Sequence, residues 1–281
     1  MKQSVKVLGV PDDINSSFMR GPSAAPPIIR EALYSDSSNL FSESGLNLDQ
    51  DGIWEDLGDI EFSGEVAVEN FNKIKTFVKN VLASDQKLVS LGGDHSVSWP
   101  ILDAHFDIWD TLDILHIDAH PDLYDNLLDN KLSHASPFAR IMETGRANRL
   151  VQVGIRTLNS HQREQAEKFG VEIHHMRNLE GLSTMSFSKP VYCSIDLDAL
   201  DPAYAPGVSH FEPGGLSTRQ LIDCINGFKG RLIGADIVEY NPKRDFHNLT
   251  AMVAAKILKE VIARFIAIIA KMIRSVYGKR I

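Results

Sequence analysis

The chain of 281 residues carries a formal charge of −8, is 43% hydrophobic and contains two cysteines, Cys193 and Cys224. That acidity excludes the basic footprint of a nucleic-acid binder, and so few cysteines exclude a disulfide scaffold and fit a reducing compartment. No uncharged apolar run approaches the ~20 residues that span a bilayer, so no membrane partner is expected.

Residues 1–4 lead straight into the apolar run 5–10 with no extended apolar leader, which predicts a cytoplasmic location. Further short apolar runs follow at 54–60, 87–91, 112–117, 150–155, 171–175, 191–195 and 232–238. Several are bounded by Gly or Pro, as expected for strands covered on both faces. Helical spacing falls between them at 26–33, 66–82, 136–143, 162–169 and 218–225, and from 250 to about 276. Residues 35–52 are polar and predict a long surface loop. With no linker or repeat, the pattern predicts one α/β domain over 1–281: a central, mainly parallel eight-stranded sheet covered by helices on both faces. The last helix has a broad apolar face, including Ile257, Leu258, Val261, Ile262, Phe265, Ile268, Ile269, Met272 and Ile273. It also carries the basic residues Lys256, Lys259, Arg264, Lys271 and Arg274. Packing on the sheet, and on a neighbouring subunit, is the expectation for such a face; a membrane surface is the alternative.

Three clusters carry the chemistry. Gly92-Gly93-Asp94-His95-Ser96, Asp118-Ala119-His120-Pro121-Asp122 and Asp196-Leu197-Asp198 each follow an apolar run. Charges at the end of a buried strand are costly unless paired or bound to metal. Open α/β sheets place ligands beyond the carboxyl ends of their strands, so the three clusters are expected to share a site. Alternate residues of an extended chain point the same way, which lets Asp118, His120 and Asp122 converge, and likewise Asp196 and Asp198. The four carboxylates of Asp118, Asp122, Asp196 and Asp198 carry four negative charges, which two divalent cations cancel. Ligation by Asp and His without thiolate favours a hard or borderline ion such as Mn²⁺.

With these motifs the chain resembles the ureohydrolase family of arginases and agmatinases. The third cluster extends the likeness as Ser194-Ile195-Asp196-Leu197-Asp198-Ala199-Leu200-Asp201-Pro202. Plant-type arginases are the best match, through Asn15-Ser16-Ser17-Phe18, Ser133-His134-Ala135-Ser136, the segment 205–216 and Met252-Val253-Ala254-Ala255-Lys256. The resemblance implies two Mn²⁺ ions per chain. Asp118 and Asp196 would bridge them, His95 and Asp122 would complete one, and His120 and Asp198 the other. It further implies proton transfer by His134, with Asp122 a second candidate, and Glu239 as the partner of a substrate guanidinium. A homotrimer or homohexamer is implied too.

The expected reaction is hydrolysis of a small guanidino compound to urea and an amine. Arginine is favoured over agmatine and guanidinobutyrate. Many arginases place acids on the loop after the Gly154-Ile155-Arg156 strand end, but Thr157-Leu158-Asn159-Ser160-His161 has none. Arg156 is read as an attractor of a substrate carboxylate, with a structural role as the alternative. His116 is read as a core or supporting histidine, Asp236 as structural, and Ser16, Ser17 and Ser96 as turn or cap residues. A metal-dependent deacetylase would need one zinc and fewer acids, and a non-catalytic guanidino-compound sensor would tolerate lost ligands. The complete set of six argues against both.

Overall fold

The computed structural model describes residues 5–181 and 184–277, with side chains described through residue 267. Eight strands form one sheet: β1 (Val5–Val10), β2 (Trp54–Asp59), β3 (Lys87–Gly92), β4 (Leu112–Ile117), β5 (Ala147–Ile155), β6 (Glu172–His175), β7 (Ser186–Asp196) and β8 (Lys229–Val238). Their order is β2-β1-β3-β8-β7-β4-β5-β6, and every neighbouring pair is parallel. β3 and β4 are buried at all positions, the mark of strands covered on both faces. β2, at one edge, is largely exposed. Its acids are paired: Glu55 with Lys6, and Asp56 and Asp59 with Arg30, which blunts an otherwise open edge.

Helices α1 (Ala25–Leu33), α6 (Thr218–Gly227) and α7 (Leu249–Tyr277) close one core. Helices α2 (Ala67–Leu82), α3 (Ser98–Phe106), α4 (Pro137–Glu143) and α5 (Ser160–Phe169) close the other. The layers match the sequence expectation, with one helix more. α3 carries no amphipathic signal because nearly all of it is buried and Pro100 interrupts its first turns. The loop 35–52 is anchored: Leu48 is buried, and Lys259 Nζ donates to Ser38 Oγ (3.0 Å) and Asn39 O (2.8 Å). Lys256 pairs with Glu260, and Arg264 reaches Phe228 O. These basic residues of α7 therefore bind the protein's own surface. Ile268, Ile269, Lys271, Met272, Ile273 and Arg274 lie outside the described side chains. Among the described residues no helix is long and apolar enough to cross a membrane.

Sheet order decides where the polar clusters meet. β3, β8, β7 and β4 are the four central strands, side by side. Their carboxyl ends deliver His95, Glu239, Asp196 and Asp118 to one rim of the sheet. Gly93 permits the approach of the β1 exit loop: a Cβ there would lie 1.8 Å from Asp12 O.

Candidate active site

Each predicted ligand comes from a strand end. His95 opens a 3-10 turn after β3, its N-terminus capped by the Asp94 carboxylate, which accepts from Ser96 N. Asp196 ends β7 and caps the next turn by accepting from Asp198 N at 2.7 Å. Asp118 follows β4 and accepts from His120 N at 2.6 Å. The six side chains converge as expected. His95 Nδ1 lies 3.1 Å from Asp118 Oδ2, 3.1 Å from Asp122 Oδ2 and 3.0 Å from Asp196 Oδ2. His120 Nδ1 lies 3.0 Å from Asp198 Oδ2 and 3.4 Å from Asp118 Oδ1. Asp118 thus faces both imidazoles, one through each oxygen.

Hydrogen bonds fix which nitrogen points inward. Ser194 Oγ donates to Asp236 Oδ1 (2.6 Å), so it accepts from His95 Nε2 (2.9 Å). Tyr192 OH completes the chain on Asp236 Oδ2 at 2.7 Å. With Nε2 carrying the proton, His95 Nδ1 turns a lone pair toward three carboxylate oxygens, and it makes no hydrogen bond. Lone pairs crowded this way in a buried site repel unless a cation stands among them. The donor set therefore fits divalent metal, and Asp118, His120 and Asp198 form a second such group. Similar support surrounds His116: Gln152 Nε2 donates to its Nδ1 (3.0 Å), and its Nε2 donates to Asp118 Oδ2 (2.8 Å). His116 orients Asp118, as its place on the strand suggested.

The titration shifts have the same origin. Burial pushes Asp198 up to about 6. Burial, joined by the charges of Asp198 and Asp118, pushes Asp196 well above the carboxylate range. Burial would raise Asp118 too, yet the His116 and His120 imidazoles hold it well below. Four carboxylates in one pocket cannot all ionise without compensating positive charge.

The rest of the site lies above this floor. His134 is buried, not a solvent-exposed loop residue, with Nδ1 2.7 Å from Glu239 Oε1 and Nε2 2.8 Å from Ser17 Oγ. Burial opposes its charge, and the Glu239 carboxylate overrides burial, pushing the imidazole up to about 9. Glu239 Oε1 also accepts from His95 N at 3.0 Å. Asp122 and Glu239 adopt φ values of 48° and 64°, a left-handed backbone that costs non-glycine residues of order 1–3 kcal/mol and concentrates at functional sites. A cavity of about 200 Å³ opens over the floor, bordered by Ser17, Tyr124, His134, Thr157, His210 and Glu239.

Two sequence readings are corrected. Arg156 does not face a substrate carboxylate: its guanidinium donates to the carbonyls of Glu212 (2.7 Å), Asp198 (2.7 Å), Ala199 (3.1 Å), Gly154 and Leu200. A planar fork of donors clamps the loop that carries Asp198. Ser17 is not merely a turn residue, since it hydrogen-bonds His134. His210 was without a partner in the sequence; its ring lies 5.3 Å from His134, 5.9 Å from His120 and 5.6 Å from Phe18. No local pattern could have placed it, because all its neighbours are distant in the chain.

A family model described as the arginase family matches residues 3–263. "Arginase 1, mitochondrial" from Arabidopsis thaliana is 46% identical over 94% of this chain and 81% of its own length. A Bacillus cereus agmatinase is 31% identical over 93% of this chain and 91% of its own length. The solved arginase from Medicago truncatula superposes with a TM-score of 0.90 at 45% identity, covering 94% of this chain and 87% of that one. The expectation of a cytoplasmic location is overturned by the names of the plant relatives: this Arabidopsis arginase is named mitochondrial, and a second one chloroplastic/mitochondrial. Family match, relatives and site geometry agree, and the chain belongs to the arginase family.

Proposed function

We propose that the protein hydrolyses L-arginine to L-ornithine and urea, and that 1–281 forms one ureohydrolase domain. Two Mn²⁺ ions per chain are the cofactors of this reading. His95, Asp118, His120, Asp122, Asp196 and Asp198 would hold them, with Asp118, which faces both imidazoles, and Asp196 as the shared carboxylates. The observation that carries it is the unpartnered His95 Nδ1 facing three carboxylates, in a chain 46% identical to a plant arginase. Divalent ions, when bound, supply the Lewis acidity that makes water a competent nucleophile near neutral pH.

The chain's own residues do the rest. Glu239 uses Oε1 for His134 and for His95 N, leaving Oε2 to accept from a substrate guanidinium. The His134 and Ser17 contacts hold Glu239 and the imidazole at the cavity wall. A new C–O bond forms at the guanidinium carbon, and the C–N bond to the ornithine side breaks. The departing nitrogen takes a proton, which the Glu239-paired His134 imidazolium is set to deliver, with Asp122 beside it as the second donor. Agmatine is the second reading, since it carries the same guanidinium and no acid lies in 157–161 to single out an amino acid. The homotrimer or homohexamer of the family belongs to this proposal. Incubation with arginine tests it: urea and ornithine should appear in equal amounts from Mn²⁺-loaded protein holding two ions per chain. Full activity with one ion per chain would overturn the two-metal reading.

A further inference from the structure

A second cavity, of about 190 Å³, lies at the carboxyl ends of β5 and β6, away from the metal-facing floor. It is lined by Ile155, Arg156, Leu158, Arg163, His175 and Arg177. Three guanidiniums and an imidazole thus meet in a chain of net charge −8, and no carboxylate lines the space.

The arginines here differ from the rest. Among the described residues, Arg20, Arg30, Arg140, Arg146, Arg149 and Arg219 each pair with a carboxylate. Arg231, Arg244 and Arg264 lie over aromatic rings. Arg156 spends its hydrogens on backbone carbonyls and forms no ion pair, with only the Asp201 carboxylate near enough to feel its charge. Among the described arginines, Arg163 and Arg177 alone show no ion pair, side-chain hydrogen bond or ring contact, and both border this one cavity. Arg163 stands in the first turn of α5, and Arg177 follows β6. Both are exposed, and two unrelated segments thus bring a free arginine to the border of the same space.

We propose that this cavity binds a small oxyanion, a phosphate or a carboxylate, between Arg163 and Arg177, with the charge of Arg156 behind it. Guanidinium forks match such groups with two parallel hydrogen bonds each. The volume corresponds to about six waters at ~30 Å³ each, enough for inorganic phosphate or a short dicarboxylate and too small for a folded segment.

Isothermal titration of the metal-loaded protein with inorganic phosphate, and separately with succinate, tests this. The same titrations are run on Arg163→Ala, Arg177→Ala and the double variant. The wild type should bind at least one of the two anions at millimolar concentration or below. Each single change should weaken binding about tenfold, as expected for a charge-assisted bond, and the double change should remove it. Tighter phosphate binding would identify a phosphate site, and tighter succinate binding a dicarboxylate site. An anion held in the catalytic cavity would bind wild type and double variant alike. That result, or no binding of either anion to wild type, overturns the proposal. So does a double variant that changes only the oligomeric mass, which would make the arginines a contact between copies. Circular dichroism and unchanged urea release confirm that the variants fold.

Discussion

The floor and the rim of the catalytic cavity are built by different means. The floor residues follow the ends of buried central strands, and two of them are backed by a second set of buried groups: Ser194 and Asp236 behind His95, Gln152 and His116 behind Asp118. The rim is loop: Tyr124, Thr157 and His210 come from segments set by contacts far away in sequence. Strand register fixes the floor and so fixes the chemistry. A rim built from loops can change without disturbing that floor. One architecture can thus keep guanidine hydrolysis while changing which guanidino compound it accepts.

Breaking the floor should have the largest effect. Asp118→Asn or Asp196→Asn should lower urea release by well over the ~100-fold typical of losing a supporting partner, with metal lost in parallel. Metal content per chain and kcat, measured together, check this; a variant with full metal and near wild-type rate would show the two are not bridging ligands. His134→Ala stands next, with kcat falling about 10²–10⁴-fold while metal content stays intact. Retained wild-type rates between pH 6 and 10 would remove His134 from proton transfer.

Ser194→Ala tests whether support matters as much as ligation. It removes the acceptor that fixes the His95 tautomer and leaves Asp236 with only Tyr192, so metal affinity should fall about 10–100-fold. Competition with a chelator measures it. On the rim, His210→Ala should shift the arginine-to-agmatine preference by about tenfold or less and leave metal content unchanged. A loss of metal in that variant would erase the distinction between floor and rim.

The smallest effect on catalysis lies in the core beneath. Burial pushes the His105 imidazole down to about 4, below its unfolded value of about 6.5. A folded-state value lowered in this way gives stability that is whole above pH 6.5 and is lost as pH falls toward 4, by up to about 3 kcal/mol. His105→Leu should flatten the wild-type dependence over that window in urea denaturation while leaving kcat at neutral pH unchanged. Identical slopes for both proteins would contradict the assignment.

The same contrast explains what the sequence disclosed. Strands were legible because short apolar runs such as 112–117 are buried on both faces, and each ligand cluster announced itself as charge at the end of such a run. α3 was not legible, because a helix buried all round has no polar face to set its period. Arg156 was misread for a related reason: next to a strand end it looks like a substrate anchor, and only the fold brings the carbonyls of Asp198 and Glu212 to it. His210 and Ser17 fell within segments that carry the resemblance but had no role there, since each gains its meaning from His134, which the fold brings to them.

The most direct test is a comparison of urea release from arginine, agmatine and guanidinobutyrate by the Mn²⁺-loaded protein. The account predicts urea from arginine with the highest kcat/KM of the three. Preference for agmatine or guanidinobutyrate would overturn the arginine reading and leave the floor's chemistry standing; no urea from any of them, at full metal occupancy, would contradict the account itself.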